Sequence, residues 1–283
     1  MTGRELHCGS RRLALDSPVV MGVLNVTPDS FSDGGRHADP ASALAAARRM
    51  VADGATIIDV GGESTRPGSH PPPLDVELSR VVPVVRAIAA ELDVVISVDT
   101  SRVAVIEAAV GAGAHLINDV RGLTEPGALA AAVASGAGVC VMHMQGDPAT
   151  MQNAPTYGDV VAEVRAWLAE RVAACRAAGL PAERIAVDPG FGFGKTAAHN
   201  LALLAGLEEF STLGAALLVG LSRKSLAGHL TGRPVGGRLA GSIALAALAA
   251  ERGADIVRAH DVRETVDAVR IGAALRNCLR MRL

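Results

Sequence analysis

Short runs rich in Val, Ile and Leu alternate along this chain with longer Ala-rich stretches. Eight runs have the length of a buried strand: residues 19–24, 55–60, 94–98, 115–117, 138–142, 185–187, 217–221 and 255–257. Their apolar positions are contiguous rather than alternating, the pattern of strands covered on both faces in a parallel sheet. Helical periodicity occupies residues 40–53, 75–91, 102–111, 126–135, 156–178, 200–207 and 237–252. Gly54, Gly113, Gly136 and Gly253 each stand just before a strand, where a helix-to-strand turn needs a cap. Eight such units without a linker predict an α/β fold, a (β/α)8 TIM barrel over residues 1–283, with a doubly wound open sheet as the alternative. The stretch 5–15, around Cys8-Gly9-Ser10-Arg11, reads as a hairpin, so that residues 1–17 would cap the barrel floor.

The residues that follow each run narrow the chemistry. In order they include Asn25, Gly61-Gly62-Glu63, Asp99-Thr100, Asn118-Asp119, His143, Asp188, Ser222-Arg223-Lys224 and Arg258-Ala259-His260. In a barrel these ends converge on one face, where such folds carry their active sites. Helix capping is the competing role for each acid or amide taken singly, but capping does not call for Lys or Arg. The segment Asp188-Pro189-Gly190-Phe191-Gly192-Phe193-Gly194-Lys195 follows the sixth run, in a chain with only 2% aromatic residues. Alternating Gly and Phe packs poorly as helix or strand. It lets backbone approach a flat ligand under aromatic cover.

Composition excludes other classes. Hydrophobic residues make up 49% and charged ones 20%, which describes a globular chain. A net charge of −2 gives no basic surplus for nucleic acid. No apolar stretch suits a membrane span, and no secretory leader is expected after Met1. Cys8, Cys140, Cys175 and Cys278 are widely spaced, as expected of reduced thiols in a cytoplasmic protein.

Five segments carry a family resemblance: residues 21–35 (Met-Gly-Val-Leu-Asn-Val-Thr-Pro-Asp-Ser-Phe-Ser-Asp-Gly-Gly), 59–68, 188–195, 222–225 and 258–261. In content, order and spacing the chain resembles the dihydropteroate synthases. Leu226 and His37 depart from the family's aromatic preference at their positions. The resemblance implies condensation of 6-hydroxymethyl-7,8-dihydropterin diphosphate with 4-aminobenzoate, releasing diphosphate. It places Asp99, Asn118, Met142, Asp188 and Lys224 around the pterin, with Lys224, Arg258 and Asp99 serving the chemistry. It assigns Asn25, Arg66, Arg258 and His260 to the diphosphate, and Phe31, Thr65, Arg66, Pro67, Phe193 and Ser222 to 4-aminobenzoate. It implies Mg²⁺ at Asn25, although spacing alone favours a turn residue there. Sulfonamides would compete with 4-aminobenzoate, and a homodimer is expected.

These residue types suit that reaction. A pterin edge of amide, amine and ring nitrogens is read by carboxylates and an amide. A departing diphosphate needs cations and oriented N–H donors, and the Gly-rich 236–241 run opening what reads as the last long helix offers the latter. Loops 27–35 and 64–68 would close over the second substrate and exclude water. Rival readings are a pterin-dependent methyltransferase of the same fold, a non-catalytic pterin-binding paralogue and an unrelated phosphate-binding barrel. A methyltransferase has no need of Ser30-Phe31-Ser32 or of the Ser222-Arg223-Lys224 cation.

Overall fold

The computed structural model describes residues 4–27, 39–64 and 68–281. An antiparallel hairpin of β1 (Glu5–Cys8) and β2 (Arg11–Ala14) comes first. There follow β3 (Val19–Asn25), α1 (Pro40–Ala52), β4 (Ile57–Gly61), α2 (Leu74–Glu91), β5 (Val95–Asp99) and α3 (Val103–Gly111). Next are β6 (Leu116–Asp119), α4 (Ala128–Ser135), β7 (Gly138–Met142), α5 (Val160–Ala177), β8 (Ile185–Asp188) and α6 (Ala197–Ala205). The last are β9 (Ala216–Gly220), α7 (Ser225–Thr231), α8 (Leu239–Glu251), β10 (Ile256–Ala259) and α9 (Val262–Arg280). Strands β3 to β10 pair in parallel and close into a barrel of eight, as the alternating pattern predicts.

Successive residues of each strand serve two different cores. Met21, Ile57, Val95, Leu116, Cys140, Ala186, Leu218 and Ile256 form the barrel interior. Their neighbours Val20, Ile58, Ile96, Ile117, Val139, Ile185, Val219 and Val257 join the outer core against the helices. The two-residue period of a strand separates the sets. Because both faces are covered, the runs read as continuously apolar.

The interior core ends below with Leu6, Cys8, Leu13 and Leu15 of the hairpin. Arg4 ties this element to the strand starts, donating to Asp255 Oδ1 and the Ala215 carbonyl, each at 2.6 Å. The other carboxylate oxygen of Asp255 accepts from Leu217 N at 2.7 Å. Burial pushes the Cys8 thiol up to about 12 and the Cys140 thiol upward as well, so both pack as small hydrophobes.

Several boundaries differ from the sequence expectation, with local causes. Asn25, Asp99, Asn118, Asp188 and Arg258 lie within strands rather than after them. The ladder uses backbone groups and tolerates a polar side chain at its end. Helix α5 starts four residues later than expected, because Asp159 caps it by accepting from Val161 N and Ala162 N. Residues before it are held by Gln145, whose amide bonds both the N–H and the carbonyl of Thr156. Helix α6 starts earlier, capped by Thr196 with His199 completing a capping box. The Gly-rich 236–241 run leads into α8, which is followed by the longer α9; the expectation that it opened the last long helix is corrected. Helix α9, absent from the expected helices, is clearly amphipathic, but its many charges keep its mean hydropathy low.

Candidate active site

The inward positions that are apolar low in the barrel turn polar two residues later. Ile57 gives way to Asp59, Val95 to Ser97 and Asp99, Leu116 to Asn118, Ala186 to Asp188 and Ile256 to Arg258. Four strands are joined by the resulting contacts. Asp59 Oδ2 accepts from Asn118 Nδ2 at 3.1 Å and from Arg258 Nε at 2.6 Å. Arg258 Nη2 donates to Asp99 Oδ2 at 2.8 Å. Burial raises the Asp99 pKa, opposed by the Arg258 cation, while the flanking carboxylates hold the guanidinium charged. Asp59 Oδ1 and Ser97 Oγ, register neighbours on β4 and β5, are buried without a hydrogen-bond partner.

The facing wall comes from β7, β8 and β9. Met142 pairs in register with Asp188, and both are buried. Asp188 Oδ1 accepts from Gly190 N at 2.7 Å, which starts the turn through Gly194. Gly190 has φ of 71°, and a Cβ there would stand 1.9 Å from the His143 carbonyl oxygen, so only glycine fits. Burial raises the Asp188 pKa against the opposing pull of Lys224. The Lys224 amine donates to the Phe191 carbonyl and lies 4.6 Å from the Phe193 ring centroid. Burial lowers its pKa to about 8, with Asp188 pulling the other way. Phe191 itself is buried in the outer core, whereas Phe193 is half-buried at the mouth.

Ser222 and His260 meet at the rim, with the Ser222 hydroxyl 3.2 Å from both His260 N and His260 Nδ1. Residues expected to serve different substrates therefore share one edge. Arg223 turns away, forked onto Asp261 by Nε at 3.0 Å and Nη2 at 2.5 Å. Asn25 ends β3 beside Asp99: a Cβ on Gly61 would lie 3.4 Å from Asn25 Oδ1 and 3.7 Å from Asp99 Oδ2. The absence of a side chain at Gly61 leaves these two oxygens facing one space. Among the described residues no cluster of three His, Cys, Asp or Glu side chains could cage a metal. Phe31, Thr65, Arg66 and Pro67, with His37, lie outside the described residues.

Other polar residues at strand ends are structural. Asp119 accepts from Ser101 Oγ and from the N–H groups of Arg121 and Leu123, so it pins the turn after β6. Strand-end reasoning missed Asp59, which sits inside an apolar run. It also gave no role to Lys195 and His143, which are buried together behind the Gly190–Gly194 turn. One available signal is that Lys195 and Lys224 are the only lysines among 27 Lys and Arg residues.

The pterin-binding enzyme family model matches residues 21–260. The dihydropteroate synthase of Escherichia coli strain K12 is 55% identical over 267 residues, 94% of this chain and 95% of that relative. The chain belongs to the dihydropteroate synthase family. The Yersinia pestis dihydropteroate synthase in a sulfonamide drug complex is similar in structure, with 51% identity, a TM-score of 0.91, and coverage of 97% and 99% of the two chains. The Xanthomonas albilineans synthase with 4-aminobenzoic acid gives 48% identity, a TM-score of 0.91 and the same coverage, 97% and 99%. Members of the family are transferases of the folate pathway. Leu226, where the family favours an aromatic residue, is buried at the start of α7.

Having only two lysines makes the electrostatics of the site directly measurable. In a ¹³C-lysine NMR titration, Lys224 is expected to lose its proton near pH 8 and Lys195 near pH 7, instead of near the ordinary 10.5. The unfolded chain then binds more protons than the folded one between about pH 7 and 10, so these two groups make stability rise with pH across that window. Titration of both amines above pH 10 would contradict the burial argument.

Proposed function

We propose that this chain condenses 6-hydroxymethyl-7,8-dihydropterin diphosphate with 4-aminobenzoate to give 7,8-dihydropteroate and diphosphate. The observation that carries this reading is the ring of Asp99, Asn118, Asp188 and Lys224 at one end of a closed barrel. It offers carboxylate acceptors, one amide and one cation, with Met142 in register beside Asp188. Asp188 and Asp99 would accept from the pterin's N–H groups, Asn118 would both donate and accept, and Lys224 would donate to the ring carbonyl. A methyltransferase of the same fold is disfavoured by the Lys224 and Phe193 pair facing the pocket.

The diphosphate would lie across Arg258 and His260, with Arg66 from the 64–68 segment. Mg²⁺ would be held beside it by Asn25 Oδ1, because this ion relies on few protein oxygens when phosphates supply the others. When bound it would neutralise charge on the leaving group. The C–O bond breaks first, its electron pair leaving with diphosphate, and the electron-rich dihydropterin stabilises the remaining CH₂ cation. The 4-aminobenzoate nitrogen then forms the C–N bond and loses a proton. Its nitrogen is nucleophilic when neutral, so no general base is assigned. Phe193 would cover the aromatic ring with Phe31, Thr65, Arg66 and Pro67, and Ser222 would hold the carboxylate. Sulfonamides would occupy the same place.

A cytoplasmic location is supported by four free cysteines, of which Cys8, Cys140 and Cys175 are buried and Cys278 is exposed. A homodimer is supported by exposed apolar side chains on adjacent helices: Leu239 and Leu248 of α8, and Ile271, Leu275 and Leu279 of α9. Sedimentation should give twice the chain mass, and Ile271→Glu should shift the enzyme toward monomer. A wild-type monomer at micromolar concentration would exclude the dimer.

The activity is tested by diphosphate release that requires both substrates. Asp188→Ala is expected to abolish pterin binding, since each buried N–H left unpaired costs roughly 1–3 kcal/mol. His260→Ala should weaken a diphosphate-bearing pterin about tenfold or more while sparing free pterin. Wild-type pterin affinity in Asp188→Ala would remove that residue from the pocket.

A further inference from the structure

We propose that Lys195 is a positioning residue for the second substrate, holding the Gly190–Gly194 turn so that the Phe193 ring faces the Lys224 amine. The inference rests on the functional reading above. Lys195 is only 3% exposed, and its amine has three neutral neighbours. These are His143 Nδ1 at 2.9 Å, the Phe193 carbonyl at 3.0 Å and the His143 carbonyl at 3.4 Å. Two belong to the segment after β7 and one to the turn after β8, so a single nitrogen joins the two loops. Burying an ammonium among neutral acceptors is costly, and an apolar side chain would fill the same space more cheaply.

The surrounding turn shows why such a tie is useful. A turn of alternating Gly and Phe makes no regular ladder, so its carbonyls must find partners elsewhere. Gly190 O accepts from Phe193 N, Phe191 O from Lys224, Gly192 O from Gln152 Nε2 and Gly194 O from Tyr157 Oη. The carbonyl of Phe193, the residue whose ring reaches the mouth, is the one given to Lys195. His143 is braced in turn by the edge-on Trp167 ring, with centroids 5.2 Å apart. Burial, then the adjacent Lys195 charge, lowers the His143 pKa to about 3, leaving the imidazole neutral and able to accept. The use of Lys here, in a chain whose other cationic side chains are Arg except for Lys224, fits a compact nitrogen serving three acceptors. A planar guanidinium does not match that geometry.

The test is Lys195→Met, with folding followed by fluorescence of the sole tryptophan, Trp167. The KM for 4-aminobenzoate and the Kd of a sulfonamide should both rise about tenfold, while the Kd of a pterin stays within about twofold. His143→Leu, which removes one of the three acceptors, should give the same split at smaller size and covers the case in which Lys195→Met does not fold. Unchanged affinity for the second substrate, or a parallel loss for pterin and 4-aminobenzoate, would overturn the role of Lys195. Wild-type turnover measured alongside separates the two levels: an inactive wild type overturns the functional reading, whereas an active one confines any failure to Lys195.

Discussion

Arg258 is the charge on which the mouth of this barrel depends. Asp59, Asp99 and Asp188 all bring carboxylates into a space shielded from water. Several buried anions without a counter-charge would take up protons or push the strands apart. The guanidinium answers two of them with directed hydrogen bonds, Nε to Asp59 and Nη2 to Asp99. Because Asp59 also accepts from Asn118, the cation indirectly fixes an amide on a fourth strand. Lys224 plays the matching part around Asp188, raising the share of its ionised form against the effect of burial. The pocket is therefore a layer of opposite charges whose positions are set by backbone register.

That layer is possible because the barrel floor is closed by other means. The β1–β2 hairpin supplies Leu6, Cys8, Leu13 and Leu15 to the interior core, and Arg4 anchors it to Asp255. With the lower half dry and filled, the upper half can hold charge without a continuous water path through the barrel. Burial then does chemical work, because it strengthens every contact a ligand makes and depresses the lysine pKa values.

Much of this was legible in the sequence, for a physical reason. Strands covered on both faces must be apolar throughout, so the first polar residue after each run marks the open end of the barrel. Asn25, Asp99, Asn118, Asp188 and Arg258 announce themselves that way. Asp59 did not, because its strand continues through Val60 and Gly61 and hides an inward carboxylate within an apolar run. Lys195 was hidden differently: two of its three hydrogen bonds go to His143, 52 positions away, a separation that no local pattern carries. Arg223 was read as part of one cation with Lys224, yet its side chain is spent on Asp261. Helix α9 escaped notice because its many charges keep its mean hydropathy low although it is amphipathic, and the start of α5 moved because Gln145 holds the residues before it.

Arg258 holds Asp99 in place and pulls its burial-raised pKa back down to about 7, so the pH dependence of pterin affinity in Arg258→Met is the most direct test of its role. Without the cation, burial should leave Asp99 protonated near neutral pH. Wild-type pterin affinity should rise between pH 6 and 8 as Asp99 ionises near pH 7, and in Arg258→Met this rise should move to higher pH, leaving binding at pH 7 about tenfold weaker or more. An Arg258→Met enzyme that binds pterin with wild-type affinity and a wild-type pH profile would contradict the claim that this guanidinium organises the pocket.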